Sequence, residues 1–88
     1  MAKRGRLEII RDILTVLMNN RGAMLPTPLL RRSNVSTARF KEYFAEIRKK
    51  GFVNVEGDKD KMVVLTEKGR RFLEKYKTIV NFIDEFEL

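Results

Sequence analysis

The side chains best suited to chemistry fall within residues 36–50. If Phe40, Phe44 and Ile47 face a core, 100° per residue puts Ala38, Lys41, Glu42, Ala45 and Lys49 on the opposite side of a helix. Thr37 and Arg39 flank its start, and Ser36 stands just before it as an N-cap. Arg39 carries a fork of donors that matches the O6 and N7 of guanine, and Thr37 suits a phosphate or a thymine methyl. Lys41 and Lys49 read as phosphate contacts. Ala38 and Ala45 are small enough to let a backbone approach a groove. Glu42 either accepts from a cytosine amine or repels the phosphates. Solvent-facing helices commonly carry Arg, Lys and Glu, so the pattern takes its meaning from the elements that would hold it.

Other chemistry lacks its parts. The 88 residues contain no Cys and no His. Disulfides, the usual zinc ligand sets, thiol nucleophiles and imidazole bases are therefore absent together. The carboxylates and lysines form no evident acid/base or nucleophile set, so the expectation is a non-enzyme without cofactor, metal or small-molecule ligand. No apolar run approaches the ~20 residues needed to span a bilayer. The charged N-terminus leads into a helix containing Arg11 and Asp12 rather than a signal-peptide core. The expected location is cytoplasmic and nucleoid-associated, with no membrane partner.

The net charge is +7 and is unevenly spread. Residues 1–50 carry +8, residues 51–77 carry +2, and residues 78–88 carry −3 through Asp84, Glu85 and Glu87. Positive charge gathered on one part of a small fold is the footprint of a polyanion binder.

The chain is long enough for one domain. Residues 1–5 read as a flexible basic arm whose Lys3 and Arg4, with Arg6, could track a DNA backbone or minor groove. Leu7, Ile10, Ile13, Leu14 and Leu17 have the spacing of one helix face over residues 6–20. Residues 23–25 make a minimal strand. Thr27 as cap and Pro28 at the first position predict a short helix over 28–32. It ends in Arg31 and Arg32, which either clamp a DNA backbone across the turn or complement the helix dipole. A helix over 37–50 stops at Gly51, a residue that accepts the left-handed conformation. Residues 52–56 and 61–65 read as a hairpin. Lys59 and Lys61 lie at its tip among acids, which predicts a modest phosphate role. Thr66 caps a last helix over 67–87, and residues 6–65 and 66–88 divide as core and C-terminal helix. The eight aromatic residues fall mainly on helical stripes, so packing explains them better than base stacking.

Helix, short strand, two helices across a tight turn, then a hairpin and a helix is a winged-helix order. The fold class expected is α+β, mainly helical, with a two-stranded wing. Here a resemblance becomes specific. Ser33-Asn34-Val35-Ser36-Thr37-Ala38-Arg39-Phe40-Lys41-Glu42-Tyr43-Phe44 resembles the turn and recognition helix of archaeal winged-helix regulators. Lys50-Gly51-Phe52-Val53 looks like their junction into the wing, and Leu65-Thr66-Glu67-Lys68-Gly69-Arg70-Arg71-Phe72-Leu73 looks like the start of their last helix. The chain is most similar to the small archaeal chromatin-associated type, whose elongated C-terminal helix dimerises. The likeness covers residues 7–77 well and 78–88 in character. It implies a dimeric DNA-binding protein of regulatory or architectural function.

The last helix points the same way on physical grounds. Phe72, Tyr76, Ile79, Ile83 and Phe86 step by four, three, four and three residues, flanked by Leu73 and Val80. Leaving Ile79, Val80, Phe82, Ile83 and Phe86 in water would forgo roughly 1.5–3 kcal/mol for each. The expected cover is the same helix of a second copy, with the interface formed by Phe72, Tyr76, Ile79, Val80, Ile83 and Phe86. If the helix instead folds back, it completes a monomeric core. The competing reading of the whole chain is a protein-interaction adaptor that uses this helix as its partner site.

Overall fold

The computed structural model describes residues 5–88. Lys3 and Arg4 of the expected arm lie outside the described residues, and Gly5 forms the N-cap of the first helix. The elements run α1 (Arg6–Asn19), β1 (Ala23–Met24), α2 (Pro26–Ser33), α3 (Thr37–Lys49), β2 (Val53–Glu56), β3 (Met62–Leu65) and α4 (Glu67–Glu85). The architecture is α+β and mainly helical, as the order of elements in the sequence predicts.

α1 is the centre of the core. Its Ile9, Ile10, Ile13, Leu14 and Leu17 are buried at successive turns of one face. Leu29 of α2, Phe40 and Ile47 of α3, and Leu73 of α4 close around them, with Met24, Val53, Val63 and Leu65 from the sheet. Val63 and Leu65 point inward because side chains two residues apart share a face of a strand. Leu7 departs from the expected core stripe and is 52% exposed. It lies on the first turn of α1, beyond the sheet, where α4 is the neighbouring element.

The two-stranded wing is part of a three-stranded sheet. β2 pairs with β3 antiparallel, from Val53 opposite Leu65 to Glu56 opposite Met62. β1 adds Ala23 opposite Val64 and Met24 opposite Val63, giving the order β1-β3-β2. Gly57 turns the hairpin with φ 109°, in the region that favours glycine.

α2 starts earlier than Thr27 and Pro28 suggest. Leu25 is its N-cap and Pro26 its first residue. Both prolines then fall among the first positions, where an N–H has no intrahelical acceptor, so neither interrupts the helix. Leu29 N–H bonds the Leu25 carbonyl at 3.3 Å. Ser33 belongs to α2 and is buried, its hydroxyl donating to the Leu29 carbonyl at 2.7 Å. Asn34 ends the helix in the left-handed conformation, φ 55° and ψ 47°, which side chains like Asn tolerate.

α4 belongs half to the core and half to the outside. Gly69 and Leu73 are buried, whereas residues 81–88 are exposed throughout. The helix does not fold back over the domain, and the molecule measures 48 × 28 × 21 Å. No helix among the described residues is long and apolar enough to cross a membrane.

Candidate nucleic-acid interface

The sharp turn at Asn34 sets α3 against α2. Ser36 is the N-cap, as its position suggests, and its Oγ accepts from the Arg39 amide at 3.3 Å. Phe40 and Ile47 are buried, while Tyr43 and Phe44 pack on the core's edge. Phe40 and Phe44 stack with ring centres 5.6 Å apart. That anchoring presents Thr37, Ala38, Arg39, Lys41, Glu42, Ala45, Arg48 and Lys49 to solvent on one rigid element.

Arg39 lies over the Tyr43 ring one turn on, 5.9 Å from its centre. No ion pair with Arg39, Lys41, Glu42 or Lys49 occurs among the described residues. The helix's other carboxylate is neutralised. Arg6 grips Glu46 through both guanidinium arms, the Nε contact being 3.1 Å, and Lys50 approaches it at 3.9 Å. Arg6 is thus a brace between α1 and α3. Its partner lies 40 residues away, which no local sequence signal reveals.

The remaining candidate residues sit on neighbouring elements. Arg31 and Arg32 are exposed in the last turn of α2. Arg32 turns toward the end of α1, where its Nη1 donates to Asn20 Oδ1 at 3.5 Å. With Met24, Leu25, Pro28 and Met62 it lines a groove between α2 and the wing. Lys59 and Lys61 are exposed at the wing turn. Arg48 is a cation that the wheel around Lys41 and Lys49 passes over. It borders the same open depression as those two, beside Phe40, Phe44 and Ala45. Its place one turn after Phe44 was the available clue.

On α4, Phe72 tilts against Phe52 with centres 5.0 Å apart, and Tyr76 lies beneath the Arg11 guanidinium at 5.2 Å. Ile79, Phe82, Ile83 and Phe86 are 58, 54, 41 and 58% exposed. Val80, half-buried, joins Ile79 and Ile83 in lining an apolar groove with Leu7 and Tyr76. Among the described residues no cluster of three or more acidic side chains could hold a metal ion.

Helix, tight turn, presenting helix and wing define a class of fold. The sequence model of the winged helix-turn-helix family matches residues 3–84, and the chain belongs to that family. Among solved structures it is similar to Sso10a-2, described as a DNA-binding protein from Sulfolobus solfataricus. The two share 21% identity over 96% of this chain and 86% of that one, with a TM-score of 0.78. F-93 of SSV1 is similar at 23% identity over 88% of this chain and 91% of that one, with a TM-score of 0.63. No curated protein matches the sequence.

Proposed function

We propose that this protein binds double-stranded DNA as a homodimer, acting as a transcriptional regulator or nucleoid-associated protein in the cytoplasm. The observation that carries the reading is the first two turns of α3. Ser36, Thr37, Arg39 and Lys41 are exposed together on a helix whose far side is locked into the core. A helix presented after a tight turn enters the major groove with its N-terminal residues toward the bases. Arg39 reads guanine there, Thr37 and Ser36 meet phosphate or a thymine methyl, and Glu42 selects cytosine or repels. Lys41 and Lys49 hold the backbone, with Arg31, Arg32, Lys59 and Lys61 adding contacts from α2 and the wing. The printed description of Sso10a-2 as DNA-binding supports this assignment.

The dimer rests on α4. Its outer half carries Ile79, Phe82, Ile83 and Phe86 in water, an arrangement a lone domain gains nothing from. A second copy covers Ile79, Val80, Ile83 and Phe86. Phe72 and Tyr76 form the end of the interface nearest the domain, already steadied within the protomer. Two copies then bring two α3 helices to successive major grooves. An adaptor for another protein would use the same apolar face.

Replacing Arg39 and Lys41 together by Glu tests the assignment. Duplex binding is expected to vanish with the fold intact, and wild-type binding should weaken steeply with salt as counterions are released. Retained affinity at matched salt overturns DNA binding through α3. A flat salt response with no mobility shift on any duplex selects the adaptor.

A further inference from the structure

The first two turns of α4 carry a second set of cations. Lys68, Arg71 and Lys75 are exposed at i, i+3 and i+7, which places them on one face of a helix. Phe72 lies among them on that face. The acids of the same stretch, Glu67 and Glu74, lie to one side, about 75° and 95° from the middle of the stripe by the 3.6-residue period, with Glu67 one turn before Arg71. No acidic side chain among the described residues pairs with any of the three cations. Together with Phe52 and Phe72 they border a shallow open depression, with the Lys68 ammonium 5.6 Å from the centre of the Phe52 ring. The floor is aromatic and the charged side chains that line it are all cations.

This face adjoins α3. Gly51 follows the end of α3, and a side chain built there would come within 4.0 Å of the Lys68 stem. Lys68 thus stands beside Gly51, two residues past Lys49 at the end of α3. Helix geometry spaces Lys68, Arg71 and Lys75 by about 4.5 and 6 Å along α4, a run suited to a row of phosphates. The exposed apolar side chains of α4 begin at Ile79; the seam reaches back through Tyr76 to Phe72, which the two surfaces share, and Lys68, Arg71 and Lys75 are exposed around it.

We propose that Lys68, Arg71 and Lys75 form a further phosphodiester-binding surface that continues the phosphate track of α3 along the bound duplex. This rests on the DNA-binding reading above. It assigns α4 two tasks, with backbone contact in its first half and self-association in its second.

The test is the salt dependence of binding to a 24-base-pair duplex of mixed sequence. Full-length wild type is compared with a variant carrying Lys68→Gln, Arg71→Gln and Lys75→Gln. A control loses equal charge elsewhere through Arg21→Gln, Arg70→Gln and Lys77→Gln. Each lost phosphate contact lowers the slope of log K against log salt by about 0.9. The stripe variant is expected to lose about 2.7 of slope per engaged protomer and at least about tenfold in affinity at 0.1 M salt. The control should keep most of both. Amide resonances of residues 68–75 should also shift when duplex is added to the wild type. Equal losses in the two variants would reduce the effect to net charge and overturn the proposal, as would an unchanged slope in the stripe variant. A wild type that binds no duplex overturns the DNA-binding reading and this surface with it, whereas wild-type binding indifferent to the stripe removes only the surface.

Discussion

The guanidinium of Arg39 rests over the ring of Tyr43, 5.9 Å from its centre, with Nη2 3.5 Å from the phenol oxygen. Tyr43 is itself packed on the edge of the core. The one exposed arginine in the first turns of α3 is therefore held by a group that cannot move far. A long side chain steered in advance loses less conformational freedom when it binds.

Tyr43→Leu should keep the packing and free Arg39. The stacking is worth about 0.5–1 kcal/mol at an exposed site. Affinity for a selected DNA site is expected to fall about two- to fivefold, while affinity for a scrambled duplex stays level. Arg39→Ala should cost about 1–3 kcal/mol at a single base pair. In that background Tyr43→Leu should change nothing further, which competition binding on paired duplexes measures.

Gly69→Ala is expected to loosen α4 from the wing. A methyl there would sit 2.4 Å from the Phe52 carbonyl oxygen and 2.6 Å from Leu65 Cδ1. The Phe52 carbonyl already accepts from the Thr66 amide at 3.0 Å, and Leu65 is buried in the sheet, so neither yields cheaply. Overpacking of this kind costs about 1–3 kcal/mol. In a domain this small each kcal/mol lowers the melting temperature by about 4–8 °C, and calorimetry should record the fall.

Thr66 ties the same corner from the other side. Its Oγ accepts from the Gly69 amide at 3.0 Å and donates to the Gly51 carbonyl at 2.6 Å. One hydroxyl thus caps α4 and pins the end of α3. Thr66→Ala should cost about 1–2 kcal/mol through loss of the cap, and Thr66→Ser, which restores the oxygen, should recover most of it. Denaturant titration of the three proteins checks both.

What could be read in the sequence were features of local spacing. The apolar step of Phe40, Phe44 and Ile47 gives α3 and its exposed side, and Ser36 and Thr66 are caps where their positions suggest. The Arg39–Tyr43 contact is an i, i+4 pair and was open to the same reasoning. Features that depend on distant residues were hidden. β1 is two residues long and owes its strand conformation to β3, some 40 residues later. Glu46 looks like a free acid on α3 until Arg6 is brought to it by folding. Leu7 continues the α1 stripe yet is left half exposed beside α4, because periodicity reports a face and not how fully it is covered. At the start of α2 two proper signals compete: Thr27-Pro28 resembles a cap, but Pro26 opens the helix first.

The outer half of α4 yields the last prediction. Ile83 and Phe86 are 41 and 58% exposed, and Phe82 and Phe86 already touch ring to ring, with centres 4.9 Å apart. Neither side chain contributes to the domain core. Ile83→Glu with Phe86→Glu should therefore leave the fold and the melting of an isolated domain unchanged while abolishing self-association. The wild type is expected to sediment at twice the 10.4 kDa chain mass, with a melting temperature that rises with concentration because association stabilises the folded form. The double variant should sediment as a single chain and melt independently of concentration. Its affinity for a site with two half-sites should fall to that for one, since only the dimer joins two α3 helices on one duplex. A wild type that sediments as a single chain at every concentration would overturn the dimer and leave the apolar face to another protein.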